Sequence, residues 1–332
     1  MPHVILKNPP GFEIDLERLR AFERGLNPRR PERSAIPAQV LGYGEISTVF
    51  AIQMEGLDGL AFKRLPIFHS DQEMTAYLAI YEEYNRLLQD EVGLCVALHG
   101  HAGFTTDTGH PVFYIIQRRE AAECVGHRAI HLIPPEQVLE LFRRVLDHLC
   151  RVWAFNQRQD RVQIGIDGQI SNWAIQGFDP AYPALPPHPD LCYLDTSTPL
   201  FRVEGQEQLD TELFLRSAPS FLRWVLRLLF LEDVVNRYYD LHLVVVDLIA
   251  NFYKEQRSEL IPDLIRTANE FFAGGGAVSG IEPVSDREVA GYYREDRLIW
   301  SIYQSMRRLD RFLYSRLLRR EYPYILPEAI RR

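Results

Sequence analysis

Hydrophobic positions follow a strand-like pattern in the first third of the chain. Apolar residues recur in short runs at residues 40–41, 47–52 and 60–65, the first two rich in β-branched and aromatic residues, and glycine turns separate these runs. The pattern predicts three successive strands. A helical spacing follows in residues 71–91 and predicts one long amphipathic helix; its apolar positions are Met74, Leu78, Tyr81, Tyr84, Leu87 and Leu88. Two further strands are expected at residues 94–98 and 112–117.

The remainder of the chain has the period of helices. Residues 135–156 and 217–255 are apolar on one side and charged on the other, which predicts two long helices. Strands, a helix, more strands and a helical half together indicate an α+β protein with a sheet lobe and a helix lobe. We expect an N-terminal extension at residues 1–34, packed on the main body or loosely joined to it, an N-lobe at 35–119 and a helical C-lobe at 120–332.

The amino-acid composition argues against several partners and locations. The 332 residues are 46% hydrophobic and 25% charged, and their net charge of −8 argues against nucleic acid as a partner. Four cysteines stand far apart without a Cys-x-x-Cys pair and are expected to be reduced thiols. We expect no secretory signal and no transmembrane segment, because the most apolar run, residues 241–250, is short and contains His242 and Asp247. A cytoplasmic location is the resulting expectation.

Two features of the predicted strands could contact phosphate. Gly42 and Gly44 form a turn between strands, which can bring its backbone close to a triphosphate or can be a plain hairpin. Lys63 lies inside an apolar strand, where a buried ammonium needs an anionic partner. That partner could be a phosphate or a carboxylate of the following helix, where we favour Glu83 and leave Glu82 open. Alternatively, Lys63 extends its ammonium to water.

Three polar residues downstream could complete a phosphoryl-transfer site. Asp167 and Asn172 stand five positions apart between apolar residues, so a short loop would bring both side chains into one cleft. A carboxylate there can accept the proton of an attacking hydroxyl, and an amide oxygen can bind magnesium. Asp195 ends an apolar run and could be a second magnesium ligand. The alternatives are local turn bonds for Asp167 and Asn172 and a helix cap for Asp195.

Together, these features resemble the protein-kinase-like superfamily, nearer its aminoglycoside and choline kinase branch than the protein kinases. The resemblance covers residues 40–201. Its carriers are Gly42 and Gly44 as the glycine-rich loop, Lys63 as the third-strand lysine, Glu83 as its helix partner, Asp167 and Asn172 as the catalytic-loop pair, and Asp195 as the metal-binding acid. It implies a bilobal fold with ATP and Mg²⁺ between the lobes. Asp167 would be the base, Asn172 and Asp195 would bind the metal, and Lys63 would bind the nucleotide phosphates. Gln117, Arg118 and Arg119 would form the hinge that receives adenine.

Departures from that family bear on function. They are Ser47 in place of the third glycine, Gly165 in place of the usual His, Gln169 in place of a Lys or His, and Thr196-Ser197 in place of Phe-Gly. No Ala-Pro-Glu element follows Asp195, which favours a small-molecule acceptor over a protein. The proline-rich residues 176–189 are expected to form a lid or a partner surface. Asp240, Asp247 and Asn251 are expected to make structural hydrogen bonds rather than bind a second metal.

Three functions are consistent with this sequence. An ATP- and Mg²⁺-dependent phosphotransferase is the favoured hypothesis. A pseudokinase that binds nucleotide without turnover is the alternative, motivated by Gly165, Gln169 and Thr196. A helical interaction protein without a nucleotide site is the third. The acceptor and the oligomeric state are not predicted.

Overall fold

A computed structural model describes residues 4–44, 46–210, 212–215, 235–274, 278, 281–316, 322 and 324–326. The strands of this described part are β1 (Val4–Lys7), β2 (Ala38–Tyr43), β3 (Thr48–Ile52), β4 (Leu60–Leu65), β5 (Cys95–Val96), β6 (His99–Thr105), β7 (Pro111–Arg118), β8 (Val162–Ile164), β9 (Trp173–Ile175), β10 (Leu191–Tyr193), β11 (Phe201–Val203) and β12 (Gln206–Glu207). The helices are α1 (Leu16–Gly25), α2 (Asp71–Arg86), α3 (Gly126–Ala129), α4 (Pro135–Arg158), α5 (Glu212–Leu215), α6 (Leu241–Lys254), α7 (Ile261–Ala273) and α8 (Asp286–Arg316).

The first lobe is a six-stranded antiparallel sheet in the order β1-β6-β7-β4-β3-β2. β2, β3 and β4 are the three predicted strands, and their registers place Lys63 of β4 between Val49 of β3 and Ile115 of β7. Gly44 closes the β2–β3 turn, where its N–H donates to Ser47 O (3.0 Å). A Cβ atom on Gly44 would lie 2.6 Å from Ser47 Oγ, so this position leaves no room for a side chain.

One predicted strand lies elsewhere. Residues 94–98 contain only the two-residue β5, which pairs in parallel with β10 in a separate three-stranded sheet. The strand beside β7 is β6, whose Gly100 and Gly103 resemble turn residues in the sequence. Both are needed for close packing instead, because a Cβ atom would lie 2.2 Å from Lys7 O at Gly100 and 2.8 Å from Met74 Sδ at Gly103.

Helix α2 forms where it was predicted and packs against β6 and β7. Ser70 caps its first turn by accepting from Glu73 N (3.2 Å), and Glu73 accepts from His69 N (2.8 Å), a reciprocal arrangement typical of helix starts. A π-helical turn, Leu87–Glu91, continues the helix to the predicted end. Its buried stripe consists of Met74, Tyr77, Tyr81, Tyr84 and Leu88.

The second lobe is helical. α4 packs against α6 and α7, and α6 packs against α8; buried residues of all four helices belong to one core. The predicted helix at 135–156 corresponds to α4, and residues 241–254 of the predicted helix at 217–255 correspond to α6. Residues 216–234 lie outside the described part. These two lobes confirm the predicted α+β, bilobal architecture.

The N-terminal segment packs on the sheet lobe. β1 pairs with β6 at the sheet edge, and Leu19 and Phe22 of α1 are fully buried in the core of this lobe. Of the two expected arrangements, the structure has the packed one. The domain boundaries at residues 34 and 119 stay predictions.

No helix among the described residues is both long and apolar enough to cross a membrane. All four cysteines are free; Cys95 is exposed and the other three are buried.

A buried ion pair fixes α1 to the sheet. Arg64 of β4 donates from Nη2 to Glu23 Oε1 (2.6 Å) and from Nε to Glu23 Oε2 (2.9 Å), and Tyr114 Oη donates to the same carboxylate. Both side chains of the pair are less than a tenth exposed. Burial alone would raise the pKa of Glu23, but Arg64 and Tyr114 hold it below its ordinary value.

We expect Arg64→Ala to reduce the free energy of unfolding by about 3–5 kcal/mol, because it leaves the Glu23 carboxylate buried without a counter-charge. Urea denaturation measures the effect. Arg86→Ala is the matched control: it breaks half-exposed pairs with Glu83 and Glu91 and should cost about 1 kcal/mol or less. Equal losses in the two variants would contradict this account of the α1–sheet contact.

Candidate functional site

A cleft separates the β2–β3 hairpin from the helical lobe. Gly44 and Ser47 line it on the sheet side, and Asp167, Asn172 and Asp195 line it on the other side. Its volume is about 320 Å³, which falls within the range of small-molecule sites, about 300–1,000 Å³. Gly42 does not line the cleft; it lies at an irregularity in the β2–β3 register.

Lys63 and Asp195 form an ion pair between the lobes. The Lys63 ammonium donates to Asp195 Oδ1 (2.7 Å) and to Ser197 Oγ (2.9 Å). The two side chains are 15% and 35% exposed, so water screens the pair only partly. Burial alone would raise the pKa of Asp195, but Lys63 and the hydrogen bonds from Ser197 lower it. Asp195 is therefore a carboxylate at neutral pH.

Asp167 and Asn172 lie in one tight loop. A short 3₁₀ turn, Ile170–Asn172, folds Asn172 back so that its Nδ2 donates to Asp167 O (3.2 Å), which also accepts from Tyr193 Oη (3.2 Å). Gly165, the departure from the usual His, lies where a Cβ atom would be 3.0 Å from the Tyr239 ring. The packing therefore leaves little room for a larger residue there.

The carboxyl of Asp167 has a shifted pKa. Burial raises the pKa of Asp167 to about 7, the negative charges of Asp247 and Asp195 contribute in the same direction, and the N–H of Gln169 and Lys254 oppose them. A carboxyl whose pKa lies near the working pH is suited to general base catalysis. Asp167 and Asp195 thus form two acids with opposite shifts in one cleft.

Local turn bonds occupy one oxygen of each acid. Asp167 Oδ1 accepts from Gln169 N (3.0 Å), and Asp195 Oδ1 accepts from Ser197 N (3.1 Å) and Ser197 Oγ (2.7 Å). Within the described residues, Oδ2 of each acid and Oδ1 of Asn172 carry no hydrogen bond. These turn bonds therefore use Oδ1 of Asp167 and Asp195, and Oδ2 of each acid is available to a ligand.

The available oxygens fit a magnesium ion. Asp195 offers a carboxylate oxygen and Asn172 an amide oxygen, and Mg²⁺ in nucleotide sites needs one or two such protein ligands besides phosphates. No cluster of three or more His, Cys, Asp or Glu residues suited to a metal occurs in the described part of the chain. A metal here would depend on the nucleotide for its other ligands.

Gln169 connects this loop to helix α6. Its Nε2 donates to Asp247 Oδ2 (3.2 Å), and its Oε1 accepts from Asn251 Nδ2 (3.3 Å) and Lys254 Nζ (3.4 Å). Asp247 and Asn251 make structural hydrogen bonds, as expected. Asp240 instead caps α6 by accepting from Leu243 N (3.2 Å).

The sequence analysis missed the α6 and α8 residues that line the far wall of the cleft. Lys254 of α6, Tyr292 and Trp300 of α8, and Arg237, which precedes α6, belong to this wall. The only sequence signal was the spacing of Asp247, Asn251 and Lys254, which puts all three on one face of a helix.

Glu83 is not the partner of Lys63 in this structure, and that prediction was wrong. Glu83 forms a half-exposed ion pair with Arg86 (2.9 Å), and the alternative candidate, Glu82, pairs with Lys7 (3.1 Å) at the surface. At 100° per residue, Glu83 lies about 140° from the centre of the buried stripe of α2. Tyr77 and Tyr81 face the Asp195 loop instead: Tyr77 Oη donates to Ser197 O (2.8 Å), and Thr196 Oγ1 donates to Tyr81 Oη (3.4 Å).

The predicted hinge residues join the two lobes but do not line the described cleft. Gln117 pairs with Ala61 and His99 inside the sheet, and its Nε2 donates to Leu194 O (3.0 Å). Arg118 and Arg119 are exposed, and the N–H of Arg119 donates to Gly59 O (2.8 Å). The role of these residues in adenine binding stays a prediction.

The sheet lobe, the helical lobe and the cleft between them define a two-lobed α+β fold. The chain belongs to the family described as "Family of unknown function (DUF6206)", whose model matches residues 27–311. No curated protein matches the sequence. Five chains of solved structures match, including one described as "WaaP in complex with acyl carrier protein". That chain is 15% identical, the match covers 72% of this chain and 100% of that one, and the TM-score is 0.31.

We expect Asp167→Asn to raise the melting temperature, because the native carboxyl destabilises the fold when it ionises. Its pKa is about 7 in the folded protein and near 3.8 ordinarily, so the cost is absent below about pH 4 and grows until about pH 7. One unit of pKa shift corresponds to about 1.4 kcal/mol, so the gain at pH 8 should reach at least about 1 kcal/mol.

Thermal melts of wild type and variant between pH 5 and pH 8 measure this effect. Asp160→Asn at an exposed position is the matched control and should give no gain that grows with pH. A gain of the same size at every pH would contradict the assigned burial of Asp167.

Proposed function

We propose that this protein is an ATP- and Mg²⁺-dependent phosphotransferase that acts on the hydroxyl group of a small molecule. The observation that carries the proposal is that Asp167, Asn172 and Asp195, from distant parts of the chain, line one cleft beside the Gly44 turn. Lys63 of the sheet lobe contacts Asp195 at this cleft (2.7 Å). Phosphoryl transfer needs this combination of a phosphate-binding cation, oxygen ligands for Mg²⁺ and a proton acceptor.

Each group has a role that follows from its surroundings. Lys63 neutralises phosphate charge, while Asp195 and Asn172 bind the metal through their available oxygens. The metal supplies positive charge to the phosphate oxygens when it is bound. Asp167 accepts the proton of the acceptor hydroxyl, because its raised pKa makes it a stronger base than an exposed Asp. The Gly44 turn brings backbone close to the phosphates without a side chain.

A small-molecule acceptor is supported by the far wall of the cleft. α6 and α8 bring Asp247, Tyr292, Asp296 and Trp300 to within reach of the same cavity as Asp167. An enclosed wall of polar and aromatic side chains is suited to a compact acceptor. ATP as the phosphate donor and Mg²⁺ as the metal belong to the proposal.

A pseudokinase is the second candidate. The observation that favours it is the low charge of the catalytic loop, residues 164–173, whose single charged side chain is Asp167. Gln169 is neutral at the position where the protein-kinase-like superfamily has a Lys or His. Such a protein would bind nucleotide in the same cleft and would show no turnover.

Nucleotide binding can be tested by thermal shift with ATP and Mg²⁺. We expect a clear rise in the melting temperature of the wild type and a strongly reduced rise in Lys63→Ala and Asp195→Ala, because each removes a phosphate or metal contact. Lys7→Ala, which loses a surface pair with Glu82, is the matched control and should respond like the wild type. Equal shifts in all four proteins would refute the site assignment.

Turnover separates the phosphotransferase from the pseudokinase. We expect ATP consumption in a screen of hydroxyl-bearing acceptors, and kcat/KM should rise with pH through about 7 as Asp167 loses its proton. Asp247→Asn should move this rise to lower pH, because the negative charge of Asp247 raises the pKa of Asp167. Asp167→Asn should bind ATP without turnover. ATP binding by the wild type without consumption on any acceptor of the screen would favour the pseudokinase.

A further inference from the structure

The proposed reaction needs a cation that the catalytic loop does not contain. Negative charge spreads over the oxygens of the transferred phosphoryl group, and fixed positive groups nearby stabilise it. Gln169 occupies the loop position where a cation would stand. Lys63 shares its charge between the phosphates and Asp195, to which it donates at 2.7 Å, so a second cation is needed.

Lys254 is positioned to provide this charge. It is the last residue of α6, and its ammonium reaches the catalytic loop by donating to Gln169 Oε1 (3.4 Å). It lines the same cleft as Asp167 and Asp195. Among the described residues, this long contact with a neutral amide is its one hydrogen bond, and no carboxylate lies within ion-pair distance. The ammonium thus has bonding capacity left for an anion.

The other cation of this wall is engaged. Arg237 donates from Nη1 to Tyr292 Oη (3.0 Å), and its guanidinium lies 5.2 Å from the centre of the Tyr292 ring. These contacts orient Arg237 towards the protein. Lys254 is therefore the cation of this wall best placed to meet a ligand.

The amino-acid composition supports the assignment independently. The chain contains 34 arginines but three lysines, Lys7, Lys63 and Lys254. Lys7 pairs with Glu82 on the surface, Lys63 donates to the cleft residue Asp195, and Lys254 lines the cleft. Lysine and arginine are not interchangeable: an ammonium is a compact point charge on a flexible stem, and a guanidinium is a broad planar fork. Two lysines at the cleft of an arginine-rich chain indicate positions that require the compact cation.

We propose that Lys254 binds the terminal phosphate of the nucleoside triphosphate and replaces, from helix α6, the cation that is missing from the catalytic loop. Gln169 acts as its positioning residue, because its amide fixes the ammonium next to the loop of Asp167 and releases it to a phosphate oxygen at little cost. This inference rests on the proposed nucleotide site and adds a specific contact to it.

The test compares the affinities for a non-hydrolysable ATP analogue and for ADP, each with Mg²⁺, by calorimetry. Lys254→Gln should weaken binding of the analogue by about 10- to 100-fold, the usual range for a lost hydrogen bond to a charged group, and should change ADP affinity by less than about twofold. Lys254→Met should behave in the same way. Lys7→Gln removes the same charge far from the cleft and should alter neither affinity.

Relocating the charge gives the sharper test. The double variant Gln169→Lys/Lys254→Gln returns an ammonium to the catalytic loop and should recover most of the lost analogue affinity. Equal weakening of both nucleotides in Lys254→Gln, or no weakening of either, would overturn the assignment of Lys254 while leaving the proposed function in place. Failure of the wild type to bind either nucleotide would overturn the proposed function as well.

Discussion

The ion pair between Lys63 and Asp195 sets the relation between the two lobes. Lys63 stands in the middle of an apolar sheet, and its mostly buried ammonium needs an anion. Asp195 comes from the helical lobe, at the end of β10, and its 2.7 Å contact with Lys63 brings the Asp195 loop against the sheet. Leu194 N donates to Asn172 O (2.8 Å) and ties the Asp195 loop to the loop that contains Asp167 and Asn172. The ion pair therefore also positions these two residues at the cleft.

Tyrosines of α2 take the place that the family resemblance assigned to a glutamate. Tyr77 and Tyr81 contact the loop at residues 196–197, and Tyr84 Oη donates to Gly165 O (2.8 Å), two residues before Asp167. α2 therefore positions both loops of the helical lobe through neutral hydroxyl groups. A glutamate could pair directly with Lys63; these tyrosines instead leave Asp195 as the anion that compensates it. Burial of neutral hydroxyls with hydrogen-bond partners costs less than burial of another charge.

Contacts around the cleft also account for the departures from the protein-kinase-like sequence pattern. Gly165 is required by the ring of Tyr239, and Gln169 exchanges hydrogen bonds with three residues of α6. Thr196 and Ser197 bond to α2 and to the Asp195 carboxylate, so this loop is fixed by hydrogen bonds where an aromatic residue would pack. Each departure has a specific contact in this structure, and none of them removes an oxygen that the proposed metal or acceptor needs.

Much of the fold was readable from local patterns. The three strands before α2, α2 itself, β7 and α4 follow from periodicities that each segment carries alone, and the local motif around Asp167 and Asn172 sufficed to predict a loop. Prediction was incomplete where glycines have a non-local reason: no strand was predicted at β6, whose Gly100 and Gly103 are small because Lys7 and Met74 approach them. The predicted pairing of Glu83 with Lys63 was wrong because Glu83 lies away from the buried face of α2 and pairs with Arg86 instead.

The sequence by itself determined much of the secondary structure, the α+β class and the short list of polar residues able to carry chemistry, because propensity, periodicity and burial cost act within a few neighbouring residues. Only the tertiary structure decided which of these residues meet. The raised pKa of Asp167 depends on its burial between the lobes and on Asp247 of α6. The partner of Lys63 and the approach of Lys254 to Gln169 depend on contacts between residues that are 132 and 85 positions apart. Contacts of that range arise from the packing of the two lobes, which no local pattern encodes.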